Sequence, residues 1–297
     1  MTNCCPACGK EAFLHFRARD LNCRISRETF HYHRCSSCAL VFLAPIPVDL
    51  GSYYRDDYIA YTVPSSVEQL AAQAEKVRFR MELVQKFVSG GRLLEIGPSY
   101  GGFAFLAKQA GFDVEAIEMD ATCCRFLTSV VGVKAVHSSD VNAALTTLGD
   151  YNVIALWHVV EHLSDPWATL DLLANRLLPG SILVISTPNP DSWQFKIFGR
   201  FWVHVDAPRH LALIPAPLLT RFLRARGLNP LLSTTTDEDG LTLNRFGWCQ
   251  SFRNFFSFKL IRYPMGLVGR TVGQLVKPLE RTAWRGSAYT IVFQREA

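Results

Sequence analysis

The chain has 297 residues, 49% of them hydrophobic, with 31 Lys and Arg against 26 Asp and Glu, a formal net charge of +5. That length holds one α/β core plus an accessory module, and the composition excludes a disordered or fibrous chain. The first residues, Thr2-Asn3-Cys4-Cys5-Pro6, lack a basic start followed by an apolar run, so no secretory leader is read and the expected compartment is the cytoplasm. Nine cysteines in that compartment point to metal rather than to disulfides.

Two C-x-x-C knuckles open the chain, Cys5-Pro6-Ala7-Cys8 and Cys35-Ser36-Ser37-Cys38, with a strand-like stretch through Phe30-His31-Tyr32-His33 between them. Four thiolates suit tetrahedral zinc, and such a closed site is structural rather than catalytic. The expectation is a zinc-ribbon module over residues 1–45 with Cys5, Cys8, Cys35 and Cys38 as ligands and Cys4 as the spare. His31 and His33 share one face of a strand and read as surface polar residues rather than ligands. Residues 46–90 read as a linker containing Tyr53, Tyr54 and Tyr58, then a helix from about Val67 to Phe87 capped by Ser65-Ser66.

The core, expected over residues 91–240, opens with Leu93-Leu94-Glu95-Ile96-Gly97-Pro98-Ser99-Tyr100-Gly101-Gly102-Phe103. This is an apolar strand carrying a carboxylate, then a glycine turn that leads into a helix over Phe103 to Gln109. A dinucleotide site would want glycine where Ser99 stands, and Glu95 would repel a pyrophosphate, so a cationic ligand fits better. Asp113 to Ile117 forms a second strand ending in Glu118, placed to accept hydrogen bonds from ribose hydroxyls, with Met119 beside it. Val133 to Val136 is a short third strand, followed by Ser138-Ser139-Asp140. Asp150 to Trp157 is a buried fourth strand, running into His158-Val159-Val160-Glu161-His162. Asp165 caps a helix that starts at Pro166 and runs to about Leu177, Pro179-Gly180-Ser181 closes it, and Ile182 to Ile185 is the fifth strand. Pro217 to Arg226 reads as a helix, Leu231 to Thr236 as the sixth strand and Ala288 to Phe293 as the last. Alternating strands and helices imply a doubly wound, Rossmann-like, mostly parallel seven-stranded sheet covered on both faces.

Read together, these segments resemble the class I S-adenosylmethionine (SAM)-dependent methyltransferases, in which an acidic residue and a glycine turn hold a sulfonium cofactor. The run Trp157 to Asn189, with its strand-end histidine, Glu-His-Leu, Leu-Pro-Gly-Ser and Thr-Pro-Asn, resembles the ubiquinone and natural-product branch. The resemblance implies SAM binding by Glu95, Gly97, Ser99, Gly101, Glu118, Met119, Asp140 and Trp157, with Asp140 at the adenine and Trp157-His158 at the transferred methyl. It also implies an acceptor-side insertion at 190–215, where Trp202-Val203-His204-Val205-Asp206-Ala207-Pro208-Arg209-His210 is similar to a stretch of that branch. His204, Asp206 and His210 are candidates for acceptor binding or proton removal, and His158 and His210 are the favoured catalytic pair.

His158-Val159-Val160-Glu161-His162 also fits the H-x-x-E-H of inverted zinc peptidases, but that chemistry needs both histidines on one helix and gives the glycine turn no purpose. Some quinone-precursor O-methyltransferases carry a Glu-x-x-Glu-His metal site here; His158 in place of the first Glu leaves one carboxylate and disfavours Mg²⁺. Residues 241–297 hold nine Lys and Arg against two Glu, with Phe252, Phe255, Phe256, Phe258, Leu260, Ile261 and Tyr263 interleaved with Arg253, Lys259 and Arg262. Charges and a proline exclude a membrane-spanning helix. The segment 250–285 is expected to meet an anionic membrane peripherally, to form a lid, or to pack on the core with its basic side chains snorkelling outward.

The function expected is SAM-dependent O-methylation of a small-molecule, sugar or lipid-linked acceptor. An rRNA base methyltransferase is the first alternative, since guanine-N1 enzymes also pair a four-cysteine finger with this fold. Residues 1–60 hold seven Lys and Arg against six acids, too weak a basic footprint for nucleic acid. The second alternative is a SAM-binding protein without transferase activity.

Overall fold

The computed structural model describes residues 3–54, 63–256, 259–282 and 284–296; Tyr58 and Phe258 lie outside them. Strands β1 (Asn3–Cys4), β2 (Glu11–Ala18), β3 (Phe30–Cys35) and β4 (Val41–Leu43) form an antiparallel amino-terminal sheet. The two knuckles are the β1–β2 and β3–β4 turns, which brings the four thiols to one end of the sheet. His33 is buried, unlike the surface residue expected, because its face of β3 packs Phe42 at a ring separation of 5.9 Å.

Next come helices α1 (Val67–Ala74) and α2 (Arg78–Gln85), with Ser66 capping α1 through the Gln69 N–H. A single helix to Phe87 was expected; Val77, at φ −117° and ψ 14°, breaks it where Ala74 and Val77 pack over Gly102. The break turns Arg80 toward the end of the core sheet.

The core strands and helices follow in order: β5 (Arg92–Ile96), α3 (Gly102–Gln109), β6 (Asp113–Glu118), α4 (Ala121–Phe126), β7 (Lys134–His137), α5 (Val141–Thr146), β8 (Tyr151–Trp157), α6 (Pro166–Asn175) and β9 (Leu177–Pro188). After them lie α7 (Trp193–Phe198), β10 (Ala212–Leu213), α8 (Ala216–Arg224), β11 (Leu228–Thr234), α9 (Glu238–Phe255), α10 (Lys259–Thr282) and β12 (Ala288–Arg295). The sheet order is β11-β12-β9-β8-β5-β6-β7, parallel except for β12, which runs antiparallel to both neighbours. This is the doubly wound, seven-stranded sheet that the alternation implied.

Chain order reverses between β5 and β8, and the crevice beyond their carboxyl ends is where such sheets bind ligands. β8 and β9 are nearly continuous apolar runs because helices cover both their faces. β9 begins five residues before the expected Ile182, since the Pro-Gly turn sits inside it as an irregularity between the pairs Tyr151–Leu177 and Val153–Ile182. β10 adds a fifth strand to the amino-terminal sheet by pairing with β4, so that sheet continues into the insertion at 190–215.

Candidate active site

A cleft of about 640 Å³ opens at the reversal point, lined on one side by Gly97, Ser99, Glu118, Met119 and Trp157 and on the other by His158, Glu161, His162, His204 and His210. The first group comes from the ends of β5, β6 and β8. The second comes from the turn after β8 and from the insertion. Helix α9 contributes Leu243, Phe246 and Gln250, and the amino-terminal module contributes Asn22 and Cys23.

The turn after β5 requires its glycines for two reasons. Gly97 and Gly101 stand at φ 65° and 82°, and an added Cβ would lie 2.7 Å from Val159 Cγ2 and 2.5 Å from Leu127 Cδ2 respectively. Six non-glycine residues adopt positive φ among the described residues, and three of them, Ser99, His158 and Asp206, line this cleft. Strained backbone is thus concentrated where a ligand would sit.

Glu118 accepts from the Ser99 N–H at 2.9 Å and the Asp120 N–H at 2.8 Å; burial pushes its carboxyl up, and these bonds pull it down. Glu95 lies beneath the turn rather than in the cleft wall. Its Oε2 finds no hydrogen-bond partner among the described residues. Burial raises the Glu95 carboxyl to about 8, with Glu118 adding to the rise and Arg80 opposing it. An uncompensated buried acid of this kind suits a cationic ligand. Trp157 packs edge-on against Phe103, and the Arg80 guanidinium lies 4.8 Å over its ring. Arg80 also makes a bidentate pair with Asp239 of α9 at 2.9 Å, joining α2 to α9 across the cleft. Sequence reasoning missed both residues, because nothing local relates positions 159 residues apart.

Asp140 stands away from this wall. Its carboxylate is exposed and caps α5 through Oδ1, which accepts from the Ala143 N–H at 3.0 Å, and it is not among the residues that line the cleft. Gly101 caps α3 and does not line the cleft.

On the far side, hydrogen bonding fixes the imidazole tautomers. His210 Nδ1 is 2.8 Å from the His204 carbonyl and His162 Nδ1 is 3.0 Å from the Arg209 carbonyl, so each Nδ1 must carry the donated proton. In the neutral ring, each Nε2 is then the atom that carries the lone pair. The rings meet edge to face at 4.5 Å, and Tyr54 Oη lies 2.9 Å from His162 Nδ1. Burial lowers His162 to about 4, so it is neutral at physiological pH. Glu161 is fully buried, with Oε2 accepting from Thr187 at 2.9 Å and Oε1 3.7 Å from His158 Nδ1. Burial alone would raise its carboxyl, but the interaction with His158 leads the effects that outweigh burial and bring it below the usual carboxylate range. Ligand atoms of Glu161, His162 and His210 lie within 4.8 Å of one another, a donor set suited to a divalent cation.

Asp206, a candidate for proton removal in the sequence, is committed elsewhere. Both its oxygens accept from Arg209, at 2.9 and 2.7 Å, and Asn22 donates to Oδ1 at 2.6 Å. Arg209 is wholly buried and also donates to Asp20 at 2.8 Å. The loop at Asp20–Asn22 therefore fixes the insertion that presents His204 and His210. The four thiols cluster with Sγ–Sγ distances of 3.5, 3.5 and 3.7 Å. Tetrahedral zinc with bonds of about 2.3 Å requires edges of about 3.8 Å, so the cluster fits that ion. Burial opposes ionisation of Cys35, but the Cys38 and Ser37 N–H groups outweigh it and bring the thiol to about 7.

The profile of the methyltransferase domain matches residues 68–233, more than half of the chain. The chain belongs to the methyltransferase domain family. Among curated relatives, this methyltransferase is 29% identical over 174 residues to the ubiquinone biosynthesis O-methyltransferase of Cereibacter sphaeroides, covering 54% of this chain and 68% of the relative. The Ruegeria pomeroyi protein of the same description is 28% identical over 170 residues, covering 54% and 66%. Among solved structures, the SAM-dependent methyltransferase from Archaeoglobus fulgidus superposes with a TM-score of 0.51 at 20% identity, covering 75% of this chain and 94% of that one. A geranyl diphosphate methyltransferase gives 0.50 at 14% identity, covering 77% and 79%. The structural neighbours speak for the fold; the family match and the curated relatives make the protein a SAM-dependent methyltransferase. No helix among the described residues is long and apolar enough to cross a membrane.

Proposed function

We propose that the protein methylates a hydroxyl oxygen of a small or lipid-linked acceptor, with SAM held by Gly97, Ser99, Glu118, Met119 and Trp157 above the buried carboxyl of Glu95. Zinc is assigned to Cys5, Cys8, Cys35 and Cys38. The observation that carries the oxygen reading is the pair of imidazoles, His162 and His210, whose Nδ1 atoms are committed to backbone carbonyls, which leaves Nε2 as the proton-accepting atom of each neutral ring, beside Glu161. An oxygen acceptor must lose a proton as it is methylated, and a neutral imidazole accepts one near pH 7.

Bound SAM would supply an electrophilic methyl group on a sulfonium. The chain's own residues do the rest. Trp157 and His158 border the point where the two walls of the cleft meet, and the Arg80–Asp239 pair braces them, with Arg80 over the Trp157 ring and Asp239 3.9 Å from His158 Nε2. His210 Nε2 takes the acceptor proton, its Nδ1–H steadied by the His204 carbonyl, and Glu161 stabilises the imidazolium formed. His158, 3.3 Å from Ser186 Oγ and 3.7 Å from Glu161 Oε1, orients that carboxylate and borders the acceptor. A second reading rests on Glu161 Oε1, which has the His158 contact at 3.7 Å but no hydrogen-bond partner among the described residues: Glu161, His162 and His210 would hold a divalent cation that acidifies the acceptor hydroxyl as a Lewis acid. The curated relatives' O-methyltransferase description supports oxygen as the target in either reading.

Glu118→Ala is expected to weaken SAM binding by about tenfold or more, the value of a lost charged hydrogen bond, while zinc content stays constant. Calorimetry with metal analysis on the same sample checks this, and unchanged affinity would remove the ribose role. Glu95 gives a pH dependence of definite sign. Its carboxyl, raised to about 8, is mostly protonated at neutral pH, and a cationic ligand favours the ionised form. SAM affinity should therefore climb as pH rises toward about 8 and then level, with a proton released on binding below that. Titration in buffers of differing ionisation enthalpy measures the release; Glu95→Gln should abolish it, and equal heats in all buffers for the wild type would refute it.

A further inference from the structure

Helix α10 has two faces of opposite character. Its inner face is built from glycines: a Cβ added at Gly269 would lie 2.6 Å from the Trp248 carbonyl, at Gly273 3.1 Å from the Trp248 ring, and at Gly266 2.4 Å from Arg253 Nε. These positions let α10 approach α9 closely, as small-residue stripes do. Its one acid, Glu280, is buried on that face and accepts from Trp248 Nε1 at 2.8 Å and Gln194 at 3.2 Å.

The outer face has the opposite composition. At about 100° per residue, Leu260, Tyr263, Leu267 and Leu275 fall on one side of the helix. They are 93, 77, 64 and 74% exposed. Arg270, Lys277 and Arg281, all exposed, fall together along one edge of that stripe. Packing on the core does not explain these leucines, because the core contact is made by the glycines together with Val272 and Val276. A solvent-facing helix would not need them, and it would carry acids among its bases.

We infer that the outer face of α10 docks on an anionic lipid bilayer, its leucines entering the interface and Arg270, Lys277 and Arg281 meeting phosphate headgroups. The charge pattern chooses this occupant, since a stripe with no exposed acid and three aligned cations complements an anionic surface. The docked face lies behind α9, whose Leu243, Phe246 and Gln250 line the cleft. The hairpin would thereby set the acceptor side beside the membrane, a consequence that rests on the lipid-linked reading above, whereas docking itself does not.

The test is co-sedimentation of the full chain with phosphatidylcholine vesicles, with and without phosphatidylglycerol. Wild type should pellet with the anionic vesicles alone and be released by salt. Arg270→Glu/Lys277→Glu/Arg281→Glu should bind at least about tenfold more weakly, and so should Leu267→Asp/Leu275→Asp. All five sites are exposed, and unchanged SAM affinity in both variants shows that the fold and the cofactor reading stand apart from this result. Wild type left in the supernatant, or either variant pelleting as wild type does, overturns the inference. So does a solution dimer that Leu267→Asp/Leu275→Asp dissociates in the absence of vesicle binding, which would give the face to a second copy of the chain.

Discussion

Replacing His210 by alanine is expected to lower kcat by about 10²- to 10³-fold while leaving SAM affinity within a factor of about two, because a positioned proton acceptor contributes on that scale. The prediction follows from the hydrogen bond to the His204 carbonyl, which places the proton on Nδ1 and the lone pair on Nε2. His210 stands across the cleft from Glu118 and Trp157, so the loss should fall on turnover rather than on the cofactor. Metal analysis of the same samples separates the two readings of the cluster. A wild type with zinc at one equivalent, no second metal and activity unaltered by a chelator treatment that leaves that zinc in place supports the proton-acceptor role. A second equivalent of divalent metal that His210→Ala fails to retain supports the cation. Turnover unchanged in His210→Ala contradicts both.

The Cys35→Ser variant is expected to lose its zinc and to bind acceptor far more weakly, with SAM binding preserved. The Cys35 thiol is held by two backbone N–H groups at 3.4 Å and shares the cluster with Cys8 at 3.5 Å, so a hydroxyl there breaks the tetrahedral set. The four-cysteine end of the amino-terminal sheet holds β3 and β4, and the same sheet continues through β10 into the insertion. Asp20 and Asn22 then clamp Arg209 and Asp206, one residue before and four before His210. Removing one partner of a buried ion pair costs about 3–5 kcal/mol. Loss of order in the ribbon should therefore reach the histidine wall and spare the glycine turn. Zinc content, SAM calorimetry and acceptor KM measured on one preparation test this division. Equal loss of SAM and acceptor binding would show that zinc supports the whole fold rather than the acceptor side.

Much of the core was legible because its signals are local. The apolar run at Tyr151 to Trp157, the Gly97–Gly101 turn and the Asp165-Pro166 cap are each determined within a few residues, and each stands where the pattern put it. Errors fell where tertiary contacts decide. The long helix expected from Val67 breaks at Val77 because Gly102, in a different element, sits beneath it. The Pro179-Gly180 turn reads as a helix stop, yet β9 absorbs it. At the site, the histidines were visible by residue type, but their division of labour was not. That Asp206 is committed to Arg209 and Asn22, and Arg209 in turn to Asp20, while Glu161 Oε1 has no hydrogen-bond partner among the described residues, depends on contacts with segments far apart in sequence. Arg80 and Asp239 had no sequence signal at all, being an ordinary helical arginine and an acid in a helical first turn.

The most direct test of the account is transfer of isotopically labelled methyl from SAM to a panel of phenols, catechols and sugar alcohols, by wild type and by His210→Ala, with the methylated atom located by mass spectrometry and NMR. The account predicts a methoxy product formed by the wild type and reduced by at least about a hundredfold in the variant. Label on carbon or nitrogen, or a methoxy product formed equally well without His210, would contradict it.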